Sequence, residues 1–260
     1  MAKPKILDSF STLKQAIFLL IKHPVLFLPK LLVAIIYGVS TLLSFSLLLQ
    51  MVQLTYIPSD QIVFGDFQSF FVSALLLLAL TVISFFIDLF FSGFYPILIN
   101  HALKGKISFS KCFGEFKPKI IKLLISGILF WLLITVISII ESLVLLNFAF
   151  NELSLILSFI ITFIILFFFY FFYPVIVLKQ KGIWKTFKET FSASLSNKKT
   201  VLIYSIIPFS VSIIKFVLAY FSTDSSVLII FWALVILTGL VYAVHVVVNQ
   251  LLFLKTQKKK

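Results

Sequence analysis

Six apolar runs divide the chain, at 25–49, 70–95, 120–146, 153–178, 201–221 and 227–254. Crossing a bilayer as an α-helix takes about 20 apolar residues, so each run predicts a transmembrane helix, several with length to spare for tilt. Between the first and second runs lies a long connection, 50–69, containing Pro58 and Gly65. The connections at 147–152 and 222–226 are short, and short connections imply tight antiparallel neighbours. The expected pairing is therefore first run with second, third with fourth and fifth with sixth.

A different periodicity precedes each odd-numbered run. Ile6, Phe10, Leu13, Ile17 and Leu20 recur at helical spacing, with Asp8, Ser11, Thr12, Lys14 and Gln15 mostly between them. Phe109, Phe113, Phe116 and Ile120 repeat the pattern, interrupted at Pro118, where a helix should break. Ile183, Trp184, Phe187, Phe191 and Leu195 form a third stripe opposite Lys185, Lys188, Glu189, Ser192 and Ser194. Such stripes predict amphipathic helices lying at the headgroup boundary with the apolar side inward. The expected fold is an all-α polytopic membrane protein. It consists of six transmembrane helices as three hairpins, each preceded by a cytoplasmic interfacial helix.

The same layout divides the single transmembrane domain, 1–260, into three units, 6–103, 107–181 and 183–256. A shift of 177 positions pairs Ile6 with Ile183, Phe10 with Phe187, Ala16 with Ala193 and Lys22 with Lys199, and Phe94-Tyr95-Pro96 recurs as Phe172-Tyr173-Pro174. Repeats of this kind point to pseudo-symmetry.

Charge sets the expected orientation. All 22 basic residues are lysine, and every one except Lys215 falls on the same side of the runs; the opposite connections carry Asp60, Asp66, Glu152 and Asp224 and no lysine. Under the positive-inside rule both termini are cytoplasmic, in a multi-pass protein of the cell (cytoplasmic) membrane. Hydrophobic residues make up 61% of the chain and charged ones 12%, against about a quarter charged in soluble domains. The formal charge of +13 is dispersed at span ends, a placement that favours an anionic lipid bilayer over nucleic acid, at about 1 kcal/mol per lysine near the surface. Lys14, Lys22, Lys111, Lys185, Lys188, Lys198 and Lys199 are the expected headgroup contacts. Cys112 is the single cysteine, so no intrachain disulfide and no thiolate metal site is expected.

Charges inside spans are costly and need a reason. Asp88, Glu141, Lys215 and His245 are the candidates. At about 1.5 Å per residue, Asp88 and His245 fall toward the lysine-bearing ends, Glu141 and Lys215 toward the opposite ends, where an ion pair is allowed. One reading makes Asp88 and His245 a titrating pair on a solute path, with Lys215 as a gate. The other has snorkelling side chains and a salt bridge. Gly93 and Pro96 next to Asp88 raise the prospect of a broken helix, while the second Tyr-Pro, at Tyr173-Pro174, has no acidic neighbour in sequence and argues for a simple bend. No zinc-hydrolase, nucleophile-elbow, P-loop or dinucleotide motif occurs, so neither metal nor cofactor is expected.

Lys22-His23-Pro24-Val25-Leu26-Phe27-Leu28-Pro29 leading into the first run, Lys181-Gly182-Ile183-Trp184-Lys185-Thr186-Phe187 entering the third stripe, and the overall layout resemble prokaryotic six-helix integral membrane proteins. These include the membrane domain fused to some glycerophosphodiester phosphodiesterases. In those fusions the activity belongs to a separate soluble barrel, so the resemblance carries no catalytic residue. Mitochondrial carriers share a three-hairpin plan but mark odd helices with Pro-x-[Asp/Glu]; here Leu26, Ile120 and Ser210 stand at that second position. The expectation is a non-enzymatic scaffold, lipid-organising protein or accessory membrane subunit, with an unidentified membrane or cytoplasmic protein as possible partner. A small-solute or ion transporter using Asp88 and Lys215 is the alternative, and an intramembrane lipid enzyme the second alternative.

Overall fold

Apolar runs without internal breakers close their own backbone hydrogen bonds as helices, the form that hydrocarbon demands. The computed structural model describes residues 7–55, 64–146, 152–179, 182–221 and 226–258, and among these the regular elements are all helical. In order they are α1 (Leu7–Lys22), α2 (Leu28–Thr55), α3 (Phe64–Leu103), α4 (Phe109–Phe116), α5 (Ile120–Leu146), α6 (Glu152–Phe168), α7 (Phe172–Leu178), α8 (Ile183–Ser196), α9 (Lys198–Phe221) and α10 (Ser226–Lys258). Single 3-10 turns at Pro24–Phe27 and Lys117–Lys119 join α1 to α2 and α4 to α5. Pro118 lies in the second turn, where the lost N–H ends α4.

Five stretches, Pro24–Ser44, Gln68–Leu103, Phe109–Ile137, Phe159–Leu178 and Leu228–Gln257, are long and apolar enough to cross a bilayer among the described residues. Their outer faces carry exposed Leu32, Val39, Phe71, Leu78, Ile128, Leu132, Ile164 and Ile229. The chain is an all-α protein of membrane-embedded type.

Helix α2 runs antiparallel to α3: Lys30 meets Asp88 and Ser92 near the start of α2, and Ser40 meets Ser84 further along, their hydroxyl oxygens 2.8 Å apart. Glycines allow the closest approaches. A Cβ on Gly127 would stand 2.3 Å from Leu89 Cδ2, and one on Gly93 would stand 2.3 Å from Leu123 Cδ2, so α3 and α5 exchange a leucine for a glycine in each direction. Gly38 likewise receives Val235 and Trp232 of α10, and Gly239 receives Leu31 and Ala34 of α2. Small residues at crossings are the usual means of helix packing in lipid. Gly93 therefore serves packing, and α3 continues through Gly93 and Pro96 without the break that is one of the two readings of this segment.

The break falls on the fourth run, predicted as one continuous helix over 153–178. Residues between α6 and α7 form turns. The pyrrolidine ring of Pro174 excludes the carbonyl of the residue four earlier, which is Tyr170.

Among the described residues, most of the buried core lies at one end of the helices. It gathers Leu89, Phe94, Tyr95 and Ile97–Ile99 of α3, Phe171 and Val175–Val177, Ala243, Val247 and Phe253 of α10, and Leu20 of α1. The short helices close this end. Helix α8 buries Thr186, Thr190 and Ser194 completely while Trp184, Phe191 and Leu195 stay exposed; α1 buries Thr12 and Ala16 and exposes Phe10, Ile17 and Phe18; α4 buries Cys112 and Phe116 and exposes Phe109 and Phe113. Small side chains allow the closest helix contact. Thr190 and Thr186 also satisfy their hydroxyls on their own helix, donating to Thr186 O at 3.0 Å and Gly182 O at 3.2 Å.

Candidate functional site

An ion pair at depth needs partners for both charges, and α2 and α3 supply them. Lys30 Nζ donates to Asp88 Oδ1 at 2.7 Å and to Ser92 Oγ at 2.5 Å, and Ser92 Oγ donates to the same Asp88 oxygen at 2.9 Å. The three side chains close a triangle. Asp88 and Ser92 are one helical turn apart on α3, so they share a face; Lys30 arrives from the first turn of α2. Sequence reasoning missed Lys30, which reads as a flanking lysine after Pro29 although it lies inside the first apolar run. That position was the available signal.

The site is asymmetric in exposure. The Lys30 side chain is 6% exposed and that of Asp88 28%; Ser92 is buried. Tyr173 of α7 interacts with Ser92 through its side chain and lies within the field of Asp88. Tyr37 of α2, 38% exposed, also lies within the field of Asp88, and interacts electrostatically with Tyr242 of α10. The second Tyr-Pro motif thus does have an acidic neighbour, supplied across the α3–α7 contact and invisible in linear sequence.

His245 does not pair with Asp88, whose carboxylate is engaged by Lys30 and Ser92. Its ring meets Tyr170 edge-on, centroids 5.3 Å apart, and stands 6.4 Å from Tyr242. The imidazole hydrogen-bonds to the backbone of Tyr204. Because Nδ1 has no partner, Nε2 is the donor and the Tyr204 carbonyl the acceptor. One turn further along α10, Asn249 Nδ2 donates to the carbonyl of Tyr170.

These two bonds share an origin. Pro208 lies inside α9 four residues after Tyr204, as Pro174 lies four after Tyr170, so for each carbonyl a proline stands where the N–H four residues on would otherwise donate. Side chains at 245 and 249 of α10 replace the missing donors. Freed carbonyls at depth demand such partners.

Of the other predicted intramembrane residues, Glu141 lies on α5 and Lys215 on α9, and their side chains fall outside the described residues. The headgroup candidates Lys14, Lys22, Lys111, Lys185, Lys188, Lys198 and Lys199 are all exposed. Three other lysines fasten the short elements. Lys122 Nζ donates to the carbonyls of Lys179 at 2.9 Å and Ile176 at 3.4 Å, a cation on the C-terminal end of α7 where the helix dipole favours one. Lys179 in turn pairs with Glu189 of α8, and Lys255 of α10 donates to Thr12 of α1 at 2.7 Å. Among the described residues, no group of three or more His, Cys, Asp or Glu is placed to hold a metal ion.

Comparison of the chain with family models, with curated proteins and with solved structures gives no match.

Proposed function

We propose that the chain is a non-enzymatic, six-span protein of a prokaryotic cytoplasmic membrane, with both termini cytoplasmic. Three hairpins, each entered through an interfacial helix, carry a lysine collar that organises anionic lipid and seats the protein as a scaffold or accessory membrane subunit. The observation behind this reading is the exposure of Lys14, Lys111, Lys185 and Lys188 on the same short helices as exposed Phe10, Phe18, Phe109, Phe113 and Trp184. Lysine heads with aromatic bodies fit the headgroup zone of an anionic leaflet.

Replacing Lys185, Lys188, Lys198 and Lys199 by glutamine tests it. Native mass spectrometry of the full chain should then show fewer bound phosphatidylglycerol molecules, with phosphatidylcholine binding unaltered. An unchanged preference for phosphatidylglycerol would sink the proposal.

A transporter is the second reading, favoured by the partial exposure of Asp88 beside the deeply buried Lys30. In a Cys112→Ser background, single cysteines beside Asp88 and Lys215 report on it. Labelling there by an impermeant thiol reagent would reveal a water path and support transport; protection would leave the scaffold reading in place.

A further inference from the structure

The geometry points to a binding site for a small zwitterion, a cationic ammonium joined to an acid anion, at Lys30 and Asp88. It stands apart from the lysine collar and shares no residue with it.

The argument turns on what a ligand does to a buried ion pair. Lys30 is held in the protein interior by Asp88 at 2.7 Å and by Ser92. An anion that took Lys30 alone would leave the carboxylate without its cation, and a cation that took Asp88 alone would strand a buried ammonium. Either exchange carries the penalty of an uncompensated charge. A zwitterion exchanges both at once: its anion takes Lys30, its ammonium takes Asp88, and each charge stays compensated. No covalent bond changes.

Asp88 retains 28% of its side-chain exposure while Lys30 has 6%, so a ligand would reach the carboxylate first. Tyr37 of α2, 38% exposed, lies within the field of the carboxylate, and Tyr173 of α7 interacts with Ser92. The Ser92 hydroxyl beside Lys30 adds a donor that suits an acid group with more than one oxygen. The same chemistry occurs in a phosphatidylethanolamine headgroup and in a free amino acid.

Thermal unfolding of the full chain in detergent micelles distinguishes these sources. Glycine and L-alanine serve as aqueous zwitterions, acetate and methylammonium as single-charge controls at equal ionic strength, and phosphatidylethanolamine against phosphatidylcholine as the lipid arm, the latter having a quaternary ammonium without N–H donors. The expected result is a Tm that climbs with the logarithm of zwitterion concentration and does not move with acetate or methylammonium. Protection by phosphatidylethanolamine alone assigns the site to a lipid headgroup; protection by glycine or L-alanine assigns it to an aqueous solute.

The Lys30→Met/Asp88→Leu double variant, which removes both charges together, should need at least tenfold more zwitterion for the same shift. It should bind phosphatidylglycerol like the parent, since the collar is intact. The proposal is overturned if neither zwitterion arm protects, if the single-charge controls protect equally, or if the double variant responds like the parent. Should the double variant not fold, the contrast between zwitterions and controls in the parent decides alone.

Discussion

Asn249 of α10 donates its side-chain amide to the carbonyl of Tyr170, the very group that Pro174 bars from a hydrogen bond within its own helix. The break between α6 and α7 and the polar residue on α10 are therefore one device. Asn249→Leu should destabilise the fold by about 1–3 kcal/mol, the penalty of an unsatisfied buried polar group. In a Pro174→Ala background the residue at 174 recovers an N–H for Tyr170, so the loss should shrink. A double-mutant cycle measured by urea unfolding in mixed micelles checks this; additive losses would show that the two residues act independently.

Lys30 and Asp88 behave as a unit. Lys30→Met alone leaves a carboxylate without its cation and should cost about 3–5 kcal/mol, whereas Lys30→Met/Asp88→Leu should recover most of that loss. Unfolding midpoints of the two variants decide the matter. A double variant no more stable than the single one would mean that the pair holds more than its own charges.

The leucine–glycine exchange between α3 and α5 predicts overpacking. Gly127→Ala sets a methyl 2.3 Å from Leu89 Cδ2 and should cost about 1–3 kcal/mol. Leu89→Ala in the same chain opens the space again. Partial recovery of the Tm in that pair is the expected outcome, and its absence would contradict the register of α3 on α5.

Two substitutions on α8 test which face it buries. Thr190 is fully buried and Trp184 is 81% exposed. Thr190→Leu should lower stability by about 1–3 kcal/mol, and Trp184→Leu in micelles should stay within about 0.5 kcal/mol, as exposed substitutions do. The reverse order would place the helix with its large apolar side inward.

The helices were legible in the sequence because hydrocarbon length and backbone satisfaction are local demands. The third run, 120–146, coincides with α5, and the others agree with their helices to within a few residues at most ends, apart from the extended α3 and the divided fourth run. The Pro118 break was legible for the same reason. Which residues of the short helices meet protein was not: Leu20 and Phe116 of the apolar stripes are buried, but so are Thr12, Ala16, Thr186 and Thr190. In an aqueous protein the large apolar side faces the core, but where lipid is also apolar, burial of Phe10 or Trp184 is gained equally well outside, and the contact with protein goes to whichever side packs most closely. Thr12, Ala16, Thr186 and Thr190 win on size.

The sequence by itself determined what each segment must become: apolar length set the helices, Pro174 set a freed carbonyl, and Asp88 set a charge in need of a partner. Only the tertiary structure decided who answers. Lys30 is 58 residues from Asp88 and Asn249 is 79 from Tyr170, and such distances are closed by the crossing of α2 with α3 and by the approach of α10 to the turn before α7. Because an apolar residue satisfies hydrocarbon in almost any orientation, the pattern of apolar positions leaves those crossings open. Close packing and the pairing of buried polar groups settle them, and both depend on all the helices at once.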